Sequence, residues 1–410
     1  MNSERLLSRF LQYVAIDTTA CDGADQYPSS PGQRQLGQLV LEQLREAGVA
    51  DSHVDEHGLV WATISANITR ACPVIAFNAH LDTSPESGGA NIRPQIIRDY
   101  RGGDLVLPGD RLQVIRVSDN PALEGLLGCT LVTTDGTTLL GGDDKAGVAV
   151  IVETAAYLAE HPEIPHGPVR MLFTCDEEIG RGVQHVDLAQ LAATVCYTLD
   201  GRGADEVDVE TFSADLATVT VRGKNIHPSI AKGRMVNAIR AAADFVARLP
   251  RAMSPETTEG REGFLHPYQL KGGVAEVALK IILRDFVTER LTGQAEMLRA
   301  IARQVEEAFP EAAVLVETAK QYRNMAEGLA REPRAVALAQ AAHRRLGREP
   351  KLTIVRGGTD GSQLTERGLP TPNLSVGQHN PHSNLEWVCL DEMAQAAAVL
   401  VELVQLWAEA

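Results

Sequence analysis

The run PVIAF at 73–77 is apolar at every position, and no other feature constrains this chain as tightly. A strand apolar on both faces is stable only inside a sheet covered on both sides, which points to a largely parallel sheet under two layers of helices. VRMLFTC (169–175) and TVCYTL (194–199) repeat the pattern. Between such runs lie stretches with helical spacing of apolar residues, Leu6 to Val14 and Gln33 to Ala47, and the Ala/Val-rich segment KAGVAVIVETAAYLAEH from Lys145. The alternation predicts an α/β fold of three layers, α/β/α.

The pattern changes near residue 210. ATVTVRG reads as a strand, MVNAIRAAADFVARL as a helix, VAEVALKIILRD as a strand or two, TERLTGQAEMLRAIARQVEEAF as a long helix and AAVLVETA as a strand. That β-α-β-β-α-β order predicts a ferredoxin-like α+β insertion. From about Arg323 the α/β pattern resumes, with a helix over 332–346, strands LTIVR and PNLSV, and a last helix from Asp391. At 410 residues the chain exceeds one ordinary core. The expected division is a first part of the larger domain over 1–208, an inserted domain over 209–320, and a second part of the larger domain over 321–410.

Charge and composition exclude whole classes of partner. A formal net charge of -16 argues against nucleic acid and against an anionic membrane. No apolar run is long enough to cross a bilayer, and the charged, amphipathic start MNSERLLSRFLQYV lacks a signal core. The six cysteines are scattered, with no CxxC pair. A reduced, cytoplasmic protein is expected. GxSxG, P-loop, HExxH and GxGxxG patterns are absent, which leaves serine hydrolases and nucleotide enzymes unsupported.

Polar groups collect where the large domain's strands end. FNAHLDTSP carries His80 and Asp82 at the end of PVIAF. TTLLGGDDKAG carries Asp143 and Asp144, LFTCDEEIGRG carries Asp176, Glu177 and Glu178, CYTLDGRG carries Asp200, and NPHSNLEW carries His382. Ligands of open α/β sheets bind beyond the carboxyl ends of strands, so these distant segments can converge. Converging carboxylates repel one another unless cations lie among them. Histidine and carboxylate donors without cysteine suit zinc, cobalt or manganese, and two such ions would sit about 3.5 to 4 Å apart.

Together with IHPSIAKG, MVNA, RDF, VRGGTDGSQL and PQIIRDYRGGD, these segments resemble the peptidase T family of tripeptide aminopeptidases, within the co-catalytic dizinc aminopeptidases, carboxypeptidases and deacylases. The likeness runs through almost the whole chain. It implies a zinc-peptidase catalytic domain with an inserted lid, two zinc ions per subunit (with cobalt or manganese able to substitute), and small peptides, above all tripeptides, as substrates. It implies His80, Asp143 and Asp200 on one metal, and Asp143, Glu178 and His382 on the other, with Asp143 bridging and the Asp143–Asp144 peptide cis. Asp82 would orient the His80 imidazole, and Glu177 would be the general base toward a water held between the metals. Adjacent in an extended segment, Glu177 and Glu178 would point to opposite sides. From the lid, His227, Asn237 and Arg284 would steady the oxyanion or grip the substrate, and Arg356 is a second candidate carboxylate clamp. His379, three residues before His382, is a competing ligand. A homodimer through the lid domain is compatible with the resemblance. The alternatives are a related dizinc dipeptidase, carboxypeptidase or N-acyl-amino-acid deacylase, and, from another class, a silent peptide- or metal-binding protein, which the presence of Glu177 disfavours.

Overall fold

A computed structural model describes residues 1–410. The chain divides into two compact units, one of residues 1–209, 325–353 and 359–410, the other of 210–324 and 354–358. In chain order the first opens with α1 (Ser3–Val14), α2 (Pro31–Glu46), β1 (Asp51–Val54), β2 (Val60–Ile64), β3 (Ile75–His80) and β4 (Gln95–Ile97). A small hairpin of β5 (Leu105–Val106) and β6 (Val114–Ile115) precedes β7 (Leu131–Thr133), α3 (Gly142–Glu160), β8 (Val169–Thr174), α4 (Leu188–Leu191), β9 (Val195–Arg202) and β10 (Glu206–Thr211). The second unit contains β11 (Ser213–Arg222), α5 (Ala238–Arg248), β12 (Phe264–Gly272), β13 (Glu276–Asp285), α6 (Thr288–Ala308) and β14 (Ala313–Tyr322). The chain ends with α7 (Ala326–Leu329), α8 (Arg334–Arg345), β15 (Lys351–Val355), α9 (Asp360–Glu366), β16 (Asn373–His379), β17 (Trp387–Cys389) and α10 (Leu390–Glu409).

The first unit is built on an 11-stranded sheet, β1-β2-β8-β3-β9-β16-β17-β7-β4, with β10 joined to β16 and β15 to β10. Only its centre is parallel: β3 pairs with β8 and β9, and β9 with β16. The flanking pairs β1–β2, β2–β8, β16–β17, β17–β7 and β7–β4 are antiparallel. A largely parallel sheet was the expectation, and the sheet is mixed instead. Burial on both faces makes a strand apolar throughout whichever way its neighbour runs, so composition carries no sign of direction.

All six residues of β3 are buried, as PVIAF requires. Helix α3 is buried along nearly its whole length and packs on β3, β9 and β16 and against α1 and α10. Its approach to β9 is so close that a Cβ on Gly147 would lie 2.0 Å from the Leu199 carbonyl oxygen, which only glycine avoids. Glu153, fully buried in α3, is held by Arg5 (Nε to Oε2, 2.8 Å) and Arg9 (Nη1 to Oε2, 2.5 Å), which ties α1 to α3. No helix is long and apolar enough to cross a membrane.

The second unit is a four-stranded antiparallel sheet, β12-β13-β11-β14, carrying α5 and α6. Its β-α-β-β-α-β order is the ferredoxin-like one. Inward residues alternate along β13, and Val219, Phe245, Leu279, Ile281 and Leu298 form its core.

Candidate metal centre

Strands β3, β8, β9 and β16 run the same way, so their carboxyl ends lie along one edge of the sheet. There the fold gathers two groups of donors, His80 with Asp143 and Asp200, and Asp143 with Glu178 and His382. Within each group the donor atoms lie within 4.8 Å of one another, and Asp143 belongs to both. His80 Nε2 is 2.9 Å from Asp143 Oδ1, while His382 Nε2 is 3.3 Å from Asp143 Oδ2 and 2.9 Å from Glu178 Oε2. Asp200 lies inside β9 rather than beyond it, with Gln378 Nε2 donating to its Oδ1 at 3.0 Å. His382 takes a left-handed backbone (φ 61°), uncommon outside glycine, which aims its ring back toward Asp143.

Electrostatics shows what this arrangement lacks. Burial pushes the carboxyls of Glu177 and Asp200 well above the ordinary range, and their acidic neighbours add to it. Glu178 is pushed up to about 7, first by burial and then by Asp143. Burial opposes charge on His382, yet Asp143 and Glu178 together raise its imidazole to about 12. His80 is raised likewise by Asp143 and Asp82 against its burial. The cluster therefore draws in protons for want of positive charge, and a divalent cation in each group would supply it. Glu178 Oε1 is buried without a hydrogen-bond partner, another position a cation would satisfy. The donor set of imidazole and carboxylate fits zinc, cobalt or manganese.

Asp82 does more than the expected orienting of His80. His80 Nδ1 donates to the Asp82 backbone carbonyl at 3.0 Å, and the Asp82 carboxylate is farther, at 3.4 Å. That carboxylate instead accepts the backbone N–H groups of Glu177 (3.0 Å) and Glu178 (3.1 Å). It thus fixes the turn that presents both glutamates. The turn is a 3-10 helix, Glu177–Ile179, entered through a left-handed Asp176, and not the extended segment expected from the run of apolar residues before it. Adjacent side chains still diverge there, by about 120° at three residues per turn.

Asp176 and Asp144 are hydrogen-bonded elsewhere. Asp176 accepts from Ser29 N (2.8 Å), Ser29 Oγ (2.5 Å) and Gln33 Nε2 (2.7 Å). Asp144 accepts from His80 N and Gly147 N, both at 3.1 Å, and its peptide bond to Asp143 is cis. His379 is not a ligand: its Nε2 is 2.7 Å from Glu392 Oε2 and its ring stacks on Trp387 at 3.7 Å.

Two supporting carboxylates escaped the sequence reading. Glu386 is buried and accepts from the amides of Leu140 (2.7 Å), Gly141 (2.7 Å) and Asp143 (3.0 Å), clamping the loop that delivers Asp143. Asp360 accepts from Thr174 Oγ1 at 2.5 Å at the end of β8, and a Cβ on Gly182 would fall 1.9 Å from its Oδ1. Replacing Glu386 by Gln leaves one oxygen to accept and sets an NH2 group against at least one of the three amide donors. The Glu386→Gln chain should lose about 2 kcal/mol of stability and bind metal about 10- to 100-fold more weakly, read by denaturant unfolding and metal titration.

The remaining expected residues belong to the second unit. His227 is exposed and opens a short 3-10 turn, its Nδ1 2.7 Å from Ser229 Oγ. Asn237 caps α5, its Oδ1 accepting from Ile239 N at 2.9 Å. Arg284 donates to Gln321 Oε1 at 2.9 Å and lies over the Tyr322 ring. Arg356 is engaged with a neighbouring loop. Its Nη1 donates to the carbonyls of Gly260 (2.9 Å) and Glu262 (3.0 Å), its Nη2 to Thr258 Oγ1 (2.8 Å), and it stacks on Phe212 and Phe264. It anchors the 258–262 loop.

Residues 140–406 match the peptidase family M20/M25/M40. Peptidase T of Geobacillus thermodenitrificans is 44% identical over 404 residues, 98% of each chain. The crystal structure of aminopeptidase PepT from Bacillus cereus superimposes with a TM-score of 0.75 at 25% identity, over 100% of this chain and 99% of that one. A dinuclear metal-binding peptidase of the M20 family from Bacillus subtilis shares the fold, with a TM-score of 0.63 at 15% identity over 99% and 98% of the two chains.

Proposed function

Because the chain belongs to the peptidase family M20/M25/M40 and is a metallopeptidase, we propose that it is a dizinc aminopeptidase that removes the N-terminal residue from tripeptides. The observation that carries the reading is the pair of donor groups sharing Asp143, with Glu177 on the same turn as one of the ligands. The names of its relatives supply the substrate class.

His80, Asp143 and Asp200 would hold one ion, and Asp143, Glu178 and His382 the other. When bound, the ions polarise the scissile carbonyl and acidify the attacking water. Glu177 takes the proton from that water and hands it to the departing amine. A carboxylate can serve both halves of that transfer, as base toward the water and then as acid toward the amine. Asp82 holds the backbone under Glu177 and Glu178, so base and ligand keep fixed directions. His227, Asn237 and Arg284 serve as substrate-binding residues of the inserted unit, which also serves as lid and dimer interface. Scattered cysteines with no bonded pair support a cytoplasmic setting, and a net charge of -16 speaks against nucleic acid and anionic membranes as partners.

The test is a panel of di-, tri- and tetrapeptides and N-acyl-amino acids, assayed with zinc, cobalt and manganese. Free tripeptides should be cleaved fastest, each releasing its first residue. Faster turnover of dipeptides or acylated amino acids would replace this reading by the dipeptidase or deacylase one. His227→Ala should lower kcat on the order of 100-fold at unchanged metal content, as loss of an oxyanion donor does. Unchanged turnover would make His227 a purely structural residue.

A further inference from the structure

We propose that Cys129, Cys389 and Asp391 form another metal site, for a soft divalent cation of the zinc and cadmium class, sharing no residue with the centre around Asp143. Cys129 lies 260 residues before Cys389 and 262 before Asp391, and the sheet brings it to them. Strand β17 pairs antiparallel with β7, Cys389 opposite Leu131. The ladder continues past the strands, with Leu390 N donating to Thr130 O at 2.9 Å. Cys129 and Asp391 thereby fall at the same level, and the two sulfurs and a carboxylate oxygen lie within 4.8 Å of one another. Tetrahedral zinc with bonds to sulfur of about 2.3 Å separates two such donors by roughly 3.8 Å, so closure needs only a small movement.

The surroundings are those of a ligand set rather than a chance contact. Asp391 is held in place by Thr130 N, which donates to its Oδ2 at 2.8 Å, the kind of support that fixes a metal-binding carboxylate. Cys389 is buried at the start of α10, Cys129 half-buried and Asp391 exposed, which closes one side and leaves the other for a water as fourth ligand. Glu392 is not a donor here, since it is engaged by His379. Both thiols are raised by burial, so without a cation they stay protonated and unreactive. Binding exchanges two thiol protons for one divalent ion, with no electron transferred. The six cysteines are unbonded, which leaves both sulfurs free to bind a cation. Sulfur donors also set this site apart in selectivity from the imidazole and carboxylate centre, which holds harder ions.

Cobalt titration of the stripped, reduced chain reads the site directly, because sulfur-to-cobalt charge-transfer absorption cannot arise from a centre of histidines and carboxylates. The full chain should show that absorption and bind one cobalt more than Cys129→Ser, which should lose the band while keeping two cobalt ions and full peptide hydrolysis. Asp391→Asn, an exposed and conservative change, should keep the band but weaken that binding about 10-fold or more. The proposal fails if the full chain, with all six thiols titrating, shows no sulfur band. It also fails if the band survives in Cys129→Ser, or if two thiols are lost to a disulfide that excludes metal.

Discussion

Glu177→Gln should bind metal and tripeptide normally and turn over about 100- to 10,000-fold more slowly, the usual range for loss of a general base. The substitution keeps the shape of the side chain and removes only the proton acceptor. The turn beneath it should not change, because the Asp82 carboxylate holds the backbone amides of residues 177 and 178 and not their side chains. Its acidic neighbours are held by other partners, Asp176 by Ser29 and Gln33, and Asp144 by the amides of His80 and Gly147. Glu178→Gln should behave differently, losing metal first and activity as a consequence. Metal content and tripeptide hydrolysis measured on the same preparations separate the two. Near-normal hydrolysis by Glu177→Gln would remove Glu177 from the chemistry.

The convergence of His80, Asp143, Glu178, Asp200 and His382 was legible because each follows or ends an apolar strand or opens the helix after one. Parallel central strands carry all such ends to the same edge. The partners that hold these residues were not legible. Glu386 acts on Asp143 across 243 positions, through backbone amides that any residue possesses, so no side-chain pattern announces it. Arg356 shows the converse ambiguity. An arginine in a Gly-rich strand end gives the same signal whether it faces a substrate carboxylate or, as here, the carbonyls of Gly260 and Glu262. Strand direction was lost for a similar reason, since β2 and β8 are as apolar as parallel strands and pair antiparallel. The turn at Glu177 was read as extended because its left-handed entry falls on Asp176, where no glycine marks it.

Stripping the metal with a chelator should abolish peptide hydrolysis, with recovery on adding zinc, cobalt or manganese, and should also reverse the way stability depends on pH. In the stripped chain Glu178 titrates at about 7, against 4.5 for the ordinary group. Folding thus takes up a proton between those values, so stability is fullest below about 4.5 and falls as pH rises toward 7. Glu177 and Asp200, also raised, act in the same direction. His382, raised from 6.5 to about 12, continues the loss above neutrality. Asp143 has the opposite sign, since its carboxyl is depressed by His382 and His80 against burial, but its contribution is lost only as pH falls below 3.8. With metal bound, the same groups hold no protons in the folded chain, whereas unfolded histidine takes one up below about 6.5. Loaded protein should therefore gain stability as pH rises from about 5 to 6.5 while stripped protein loses it. The gap in Tm should widen to roughly 5 °C or more near pH 8, since saturating ligand contributes about 3 kcal/mol. Melting curves of loaded and stripped chain at several pH values test this. Parallel pH profiles, or hydrolysis that survives complete removal of metal, would mean that the carboxylates around Asp143 tolerate one another without cations, and the metal reading of the centre would fall with that result.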